Sequence, residues 1–212
     1  MKIKVCGLKY SGNVEAVTGL GPDYIGIIFY EPSPRYAGDI DAELVAEIPK
    51  SVQKTAVFVN AGSGEISALI ERYKFEAIQL HGSENAGFCQ SFRDRVTVIK
   101  AFGIDEHFDF GLLDAYAGHV DYFLFDTKTA IHGGSGESFN WALLNDYRLD
   151  VPFFLSGGIS LDNLAEIRAI DHPQFYGVDL NSRFEISPGI KDIDRLTKAF
   201  DLIKQSTHEV RS

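Results

Sequence analysis

Short apolar segments of strand length recur along this chain, and a segment with helical character follows each of them. The predicted strands are the opening segment that ends at Cys6, then Tyr24–Phe29, Val52–Val59, Ala77–Leu80, Val96–Ala101, Tyr122–Phe125, Pro152–Leu155 and Phe175–Val178. The predicted helices are Ser11–Leu20, Asp41–Ile48, Gly62–Tyr73, Glu84–Phe92, Glu106–Ala117, Phe139–Tyr147, Leu161–Ile170 and Ile193–Ile203. Uniformly apolar strands separated by helices are typical of a parallel sheet covered by helices. Eight such units predict a closed (β/α)8 TIM barrel formed by residues 1–212 as one domain, near the lower end of the length range for that fold.

An open, doubly wound sheet is the main alternative architecture. Its most specific sign in a sequence is a G-x-G-x-x-G turn after the first strand, where glycines let the backbone approach a dinucleotide. Here the first strand ends in Cys6-Gly7-Leu8-Lys9, which does not match that pattern. The sequence also has no linker, low-complexity tract or shift in composition that would mark a second domain. The closed barrel is therefore favoured.

The composition is typical of a globular protein that does not depend on nucleic acid or membranes. Hydrophobic residues make up 45% and charged residues 24% of the chain, which allows a sizeable core. The net charge of −10 is spread along the sequence, which argues against general affinity for nucleic acid or anionic membranes but leaves room for a local basic pocket. The sequence lacks a signal-peptide pattern and an apolar run of about 20 residues that could span a membrane. Because Cys6 and Cys89 have neither disulfide-type nor metal-type spacing, we expect a reducing compartment and a cytoplasmic protein.

The residues that follow each predicted strand are the candidates for a functional site. In a (β/α)8 barrel the active site lies at the C-terminal ends of the strands. In chain order these positions offer Cys6, Ser33-Pro34-Arg35, Asn60, His81, Asp126, Gly157-Gly158, Asp179 and Asn181-Ser182.

Two of these positions predict a phosphate site. Barrels often bind phosphate with backbone N–H groups of the loops after strands seven and eight, because such donors are already oriented. Gly157-Gly158 and Asn181-Ser182 occupy those two loops. A plain glycine turn is the alternative interpretation of Gly157-Gly158, and the position of the second loop argues against it.

A thiol and a carboxyl form a candidate base and acid pair. Cys6 ends the first strand and Asp126 ends the sixth, so the two lie across the barrel from each other, and an ionised thiol is a strong base or nucleophile. Taken alone, Cys6 could be a small buried hydrophobic residue and Asp126 a helix cap or a solvated acid. His81 could approach Cys6 in space, so nucleophilic catalysis stays open. The histidines and acids lack the spacing of metal ligands, and we expect no metal.

Two cations complete the set of candidates. Arg35 lies on a loop stiffened by Pro34 and suits a carboxylate or a phosphate, although a surface salt bridge is the alternative. Lys4 shares the inward strand face with Cys6, and a buried ammonium needs a partner, for which Asp126 and Asp179 are the candidates.

The ordered set of motifs resembles the phosphoribosylanthranilate isomerase family of tryptophan biosynthesis over nearly the whole chain. The matching segments are Lys4-Val5-Cys6-Gly7-Leu8, Gly26-Ile27-Ile28-Phe29, Ser33-Pro34-Arg35, Val57-Phe58-Val59-Asn60, Gln79-Leu80-His81-Gly82, Asp126, Gly133-Gly134-Ser135-Gly136, Phe139-Asn140-Trp141, Leu155-Ser156-Gly157-Gly158-Ile159, Gly177-Val178-Asp179-Leu180-Asn181-Ser182 and Pro188-Gly189-Ile190-Lys191-Asp192. Each segment is modestly specific, and their order along the chain is highly specific.

The resemblance implies an Amadori rearrangement of N-(5'-phosphoribosyl)anthranilate that uses no cofactor or metal. It assigns the general acid to Asp126 and the general base to Cys6. It also implies that Arg35 binds the anthranilate carboxylate. The residues implied to hold the phosphate are Gly157, Gly158, Asn181 and Ser182. We count His81 and Asp179 among the residues that contact this small phosphorylated substrate.

One departure from the family pattern falls in the phosphate loop, where Arg183 stands in place of the usual glycine. Two other classes of function stay open. A different phosphosugar barrel enzyme, such as indole-glycerol-phosphate synthase, has weak support from Lys100 and Glu31. A barrel that binds a phosphorylated ligand without turning it over is the second, because a fold alone does not establish catalysis. We expect a monomer, since no helix presents an evident exposed apolar face.

Overall fold

Eight parallel strands close into a barrel in a computed structural model that describes residues 1–128 and 138–209, with side chains as far as 204. The strands are β1 Lys2–Cys6, β2 Tyr24–Ile28, β3 Gln53–Phe58, β4 Ala77–Leu80, β5 Thr97–Ile104, β6 Tyr122–Thr127, β7 Phe153–Leu155 and β8 Phe175–Leu180. Each strand pairs with the next along the chain, and β8 pairs with β1. The predicted (β/α)8 barrel is confirmed.

The register of β1 fixes the centre of the barrel mouth. Lys4 lies opposite Asp179 of β8, and Cys6 lies opposite Gly26 of β2. Side chains alternate along a strand, so Ile3 and Val5 pack outward beneath the helices while Lys4 and Cys6 point into the barrel.

The helices on the outer layer are α1 Ser11–Gly19, α2 Ala42–Glu47, α3 Ser63–Tyr73, α4 Ala86–Arg93, α5 Leu164–Arg168 and α6 Ile193–Glu209. Among the described residues, no helix is long and apolar enough to cross a membrane.

Two predicted helices are 3₁₀ helices instead. Phe110–Tyr116 replaces the helix predicted over Glu106–Ala117, and Trp141–Asp146 replaces the one predicted over Phe139–Tyr147. Both begin where an Asp or Asn side chain accepts a hydrogen bond from the amide two residues later, which favours a tight turn. Each buries a single residue, so little apolar area would be gained from a longer α-helix.

A short hairpin after β8 is absent from the sequence-based prediction. The 3₁₀ turn Ser182–Phe184 leads into β9 Glu185–Ser187, which pairs antiparallel with β10 Ile190–Lys191. Strands of two and three residues are too short to show an alternating pattern. The turn has one clear sign in the sequence, which is Pro188-Gly189, and Gly189 has φ of 87°.

The apolar core has two parts. The larger part lies between the barrel and the helices. The smaller part fills the barrel interior on the N-terminal side of the mouth and consists of Tyr24, Ile99, Ala101, Leu124 and Phe154. Mainly apolar side chains therefore fill the barrel beneath its mouth, and the C-terminal face is where an active site is expected in this fold.

Candidate active site

A pocket that is partly open to solvent lies at the C-terminal mouth of the barrel, where this fold has its active sites. Six of the nine predicted site residues line it: Cys6, Arg35, His81, Asp126, Asp179 and Asn181. The other lining residues are Ile28, Tyr30, Ser33, Val57, Val59, Gln79 and Ser156. Gly158 lines an adjoining cleft, and Ser182 opens the 3₁₀ turn after β8.

Cys6 reaches the pocket because the neighbouring strand leaves it room. A Cβ atom at Gly26 would lie 2.5 Å from the Cys6 Sγ, so any larger residue there would displace the thiol. The thiol itself is 3% exposed. Cys6 therefore has little contact with bulk water but is placed to contact a molecule bound in the pocket.

A buried ion pair lies directly behind the thiol. Lys4 Nζ donates a hydrogen bond of 3.0 Å to Asp179 Oδ1, and the two side chains are 0% and 4% exposed. Burial alone would lower the pKa of Lys4, but the Asp179 carboxylate and Cys6 outweigh it and raise the pKa, so Lys4 is a cation. Asp179, and not Asp126, is the partner that the buried ammonium required.

Opposing effects act on the protonation of Cys6. Burial raises the pKa of the thiol most strongly, and the Asp179 carboxylate adds to this effect. The Lys4 ammonium, which hydrogen-bonds the thiol, and the Lys191 ammonium both lower the pKa. The net pKa is raised, so the structure favours the neutral thiol, and the two cations limit this effect.

Asp126 is a carboxyl that stays partly protonated near neutral pH. Burial, followed by the Asp179 carboxylate, raises its pKa to about 6, and the side chain is 18% exposed. The Thr127 amide donates a hydrogen bond of 2.9 Å to Oδ1, which limits the shift. Gly157 has φ of 82°, and a Cβ atom there would lie 2.8 Å from Asp126 Oδ1. The position after β7 therefore requires glycine both for its backbone conformation and for its contact with the acid.

His81 faces this acid and is oriented by Gln79. His81 Nε2 lies 3.5 Å from Asp126 Oδ2, and the Gln79 amide nitrogen lies 3.1 Å from His81 Nδ1. Because the amide nitrogen can only donate, Nδ1 accepts, and a neutral His81 carries its proton on Nε2. In this tautomer the nitrogen nearest Asp126 is a hydrogen-bond donor. The sequence analysis did not count Gln79 among the site residues. The available signal was that Gln79 is a polar residue in an otherwise apolar strand.

Arg35 is buried at the rim of the pocket and is 7% exposed, which excludes the alternative of a surface salt bridge. Its guanidinium hydrogen-bonds Glu185 through Nε and Nη2, at 2.9 and 2.7 Å. Gly7, with φ of 84°, allows this close packing, since a Cβ atom there would lie 2.7 Å from Arg35 Cδ and 2.9 Å from Asn181 Oδ1. The glycine that follows the thiol therefore makes room for the Arg35 side chain and for Asn181 after β8.

Glu185 and Lys191 also lie at the site, and the sequence analysis did not identify either as a candidate site residue. Lys191 is 1% exposed, and its Nζ donates to Glu185 Oε1 at 2.8 Å and to Asn181 Oδ1 at 2.7 Å. Both residues belong to the short hairpin, so they could not be placed beside Arg35 before that hairpin was known.

The predicted phosphate loops meet beside the pocket. Gly157 and Gly158 both have positive φ, which turns the chain sharply after β7. The cleft next to them is lined by Ser138, Gly158, Ser160, Asp162, Asn163, Arg183 and Arg195. Arg183, which replaces the usual glycine, thus brings a cation to the wall of this cleft. The predicted Gly133-Gly134-Ser135-Gly136 loop lies outside the described residues.

Lys100, which gave weak support to a synthase, lies away from the pocket. Its ammonium is 1% exposed and bonds to Glu84 Oε2 at 3.1 Å and to the carbonyl oxygens of Leu80, Gly82 and Ala101. Within residues 1–128 and 138–204, no group of three or more His, Cys, Asp or Glu side chains could hold a metal ion.

Known proteins match this chain along nearly its full length. The family model for N-(5'-phosphoribosyl)anthranilate (PRA) isomerase matches residues 3–202. A relative from Parabacteroides distasonis, N-(5'-phosphoribosyl)anthranilate isomerase, is 43% identical over 98% of this chain and 94% of its own length.

Solved structures give the same result. Phosphoribosyl anthranilate isomerase from Thermotoga maritima superposes with a TM-score of 0.85 and 32% identity, over 97% of this chain and 99% of the other. A PRA isomerase in complex with reduced 1-(o-carboxyphenylamino)-1-deoxyribulose 5-phosphate (rCdRP) has a TM-score of 0.82 and 28% identity, over 97% and 99% of the two chains. The chain belongs to the N-(5'-phosphoribosyl)anthranilate isomerase family.

Proposed function

We propose that this chain converts N-(5'-phosphoribosyl)anthranilate to 1-(2-carboxyphenylamino)-1-deoxyribulose 5-phosphate, an Amadori rearrangement of tryptophan biosynthesis. The observation that carries the proposal is the presence of Cys6 and Asp126 in one pocket, on opposite sides of a barrel whose sequence matches this family. The reaction only moves protons and opens a ring, so general acid and base catalysis suffices and no cofactor is required.

Asp126 is the proposed general acid of the first step. Its proton goes to the ring oxygen of the ribose, the bond from that oxygen to carbon 1 breaks, and the nitrogen lone pair forms the carbon–nitrogen double bond of a Schiff base. A pKa of about 6 leaves about a tenth of the carboxyl protonated at pH 7. This population supports the acid role far better than an unperturbed carboxyl would.

Cys6 is the proposed general base of the second step. Its thiolate takes the proton from carbon 2, and the electron pair of that bond neutralises the iminium to give an enolamine. Tautomerisation then yields the ketone at carbon 2. Lys4 and Lys191 support this step because both lower the pKa of the thiol against the effect of burial.

The productive protonation state is a minority species. Asp126 must be protonated while Cys6 is ionised, yet the pKa of Asp126 is about 6 and that of the thiol is raised. The fraction in the productive state is then constant between the two pKa values and falls on either side. We therefore expect kcat/KM to rise through an acid limb near pH 6 and to fall in an alkaline limb above the optimum.

The remaining site residues bind the substrate in this proposal. Arg35 binds the ring carboxylate, and the backbone around Gly157, Gly158, Asn181 and Ser182 binds the phosphate. His81, with its proton on Nε2, and Asp179 lie between these ends and contact the sugar. A ligand of this kind, rCdRP, occupies the solved relative described above.

An assay of the wild-type chain tests the proposed function. Anthranilate fluorescence follows the consumption of freshly generated substrate. We expect cofactor-free turnover and tight binding of rCdRP. Binding of rCdRP without turnover would favour the non-catalytic barrel instead.

A monomer and a cytoplasmic location stay part of this proposal. The charge of −10 and the two cysteines without a disulfide framework support them. Light scattering coupled to size exclusion tests the oligomeric state, and a mass of about twice 23.5 kDa would contradict a monomer.

A further inference from the structure

A buried chain of hydrogen bonds connects the two ends of the pocket, and the mechanism above uses its members singly, without a role for their connection. It runs from Arg35 through Glu185 and Lys191 to Asn181. The side chains of Arg35, Glu185 and Lys191 are 8%, 4% and 0% exposed. Charges buried to this extent are costly unless each one is paired, so the arrangement calls for an explanation.

Glu185 determines which edge of the guanidinium is available. Arg35 Nε lies 2.9 and 3.0 Å from the two Glu185 oxygens, and Nη2 lies 2.7 Å from Oε2. The Nε side of the fork is thus occupied, while Nη1 bonds to no residue in the described part of the chain. The free end, formed by Nη1 and the second Nη2 hydrogen, can bind a carboxylate through two parallel hydrogen bonds.

Lys191 adds a positive charge to this cluster and extends it to the phosphate loop. Burial lowers the pKa of Lys191, and the Glu185 carboxylate opposes that effect. With Lys191 protonated, the cluster has two positive charges and one negative charge, which leaves one positive charge for an anionic ligand. The Lys191 ammonium also fixes Asn181 Oδ1 at 2.7 Å, and the Gly189 amide donates to Glu185 Oε1 at 3.1 Å. The Pro188-Gly189 turn therefore holds the cluster in place.

We propose that Glu185 and Lys191 are positioning residues for the substrate, with Glu185 orienting Arg35 toward the ring carboxylate and Lys191 fixing Asn181 in the phosphate loop. The inference rests on the proposed function, because it assigns the carboxylate to Arg35 and the phosphate to the Asn181 loop. Neither residue reacts with the substrate. Glu185 acts through the Arg35 side chain, and Lys191 acts through Asn181, whose backbone belongs to the phosphate loop.

The test for Glu185 pairs a variant with two ligands. Glu185→Gln keeps the shape of the side chain but replaces one of its two acceptor oxygens with an NH2 group. The NH2 group can only donate, so the hydrogen bond to either Arg35 or Lys191 is lost. The ligands are rCdRP and the same molecule without the ring carboxyl, measured by calorimetry. We expect Glu185→Gln to weaken rCdRP at least tenfold and to weaken the decarboxylated ligand less than twofold. Equal weakening of both ligands would overturn the proposal, because a general structural defect does not distinguish them.

A second variant tests whether Glu185 acts through Arg35. Arg35→Lys keeps the charge but has no fork, so Glu185→Gln added to it should change the rCdRP affinity less than threefold. Additive losses would overturn the positioning role. Glu76→Gln is the matched control, since Glu76 also pairs with a lysine, Lys54, at 3.2 Å, and that pair lies outside the pocket.

Lys191 is tested at the phosphate end with inorganic phosphate as the probe. We expect Lys191→Met to raise the inhibition constant of phosphate at least fivefold. Lys191→Arg, which keeps the positive charge, should bring the constant most of the way back to the wild-type value. Lys54→Met is the control and should leave the constant unchanged. An unchanged constant in Lys191→Met would overturn the Lys191 assignment. A wild-type chain that fails to bind rCdRP would instead refute the proposed function, so the two failures are distinct.

Discussion

Two buried lysine–carboxylate pairs of nearly identical geometry lie in different parts of this barrel. Lys4–Asp179 and Lys100–Glu84 have N···O distances of 3.0 and 3.1 Å, and all four side chains are at most 4% exposed. They differ in what surrounds the ammonium group. We therefore expect the surroundings, and not the pair itself, to determine whether the pair serves stability or chemistry.

The Lys100 pair is enclosed by protein oxygen atoms. Three backbone carbonyl groups and Glu84 accept from Lys100, and Glu84 in turn accepts from the amides of Asn60 and Gly82. The pair thus holds the loops after β3 and β4, which carry Asn60 and His81. The Lys4 pair borders the Cys6 thiol and the pocket, so its charges act on groups that change protonation in the proposed mechanism.

Removing Lys100 should give the largest loss of stability. Lys100→Met leaves the Glu84 carboxylate and three carbonyl groups buried without their cation, and we expect a loss of about 3–5 kcal/mol in the free energy of unfolding. Urea denaturation measures it. Lys54→Met is the control, because its partner Glu76 is 46% exposed and can be hydrated. A loss below about 1 kcal/mol would show that the Lys100–Glu84 pair does not contribute substantially to the stability of the barrel.

Removing the Asp126 charge should stabilise the protein. Burial raises the pKa of Asp126 to about 6, so the folded state favours the neutral form. The stability linked to this group is fully present below the unfolded pKa near 4 and is lost as pH rises through 6. We expect Asp126→Asn to gain about 3 kcal/mol at pH 8 and about half of that at pH 5. A gain that does not depend on pH, measured by urea denaturation, would contradict this pKa.

Removing Lys4 also leaves a buried carboxylate, Asp179, without its cation, but the effect that distinguishes this pair from the Lys100 pair is on the pH dependence of catalysis. The Lys4 ammonium lowers the pKa of Cys6 and also that of Asp126. We therefore expect both limbs of kcat/KM to move to higher pH in Lys4→Met, with a loss of about tenfold in thiolate for each unit of rise in the thiol pKa. The pH profile of Lys54→Met should match the wild type. An unmoved profile in Lys4→Met would assign the Lys4 pair to stability alone.

The sequence predicted the barrel and most of the pocket because both follow from local patterns. Apolar strands and the residues directly after them determine where Cys6, His81 and Asp126 lie. The same reasoning left the partner of Lys4 open between two acids, since strand register β1–β8 is a long-range property.

The missed residues depend on contacts between distant segments. Arg35 and Glu185 are 150 positions apart, and only the unpredicted hairpin brings Lys191 beside them. The two 3₁₀ helices were missed because a helical pattern of apolar residues does not distinguish a tight turn from an α-helix. Polar residues in unusual places, such as Gln79 and Glu185, were visible but had no assigned partner.

Turnover by Cys6→Ser and Asp126→Asn, measured together with rCdRP binding, tests the central assignment most directly. If the thiol and the carboxyl are base and acid, each variant should lose about 10²- to 10⁴-fold in kcat and still bind rCdRP within a fewfold of wild type. Full activity in Cys6→Ser would contradict the assignment of Cys6 as the general base. Cys6 would then be a buried packing residue, and His81 would be the next candidate base.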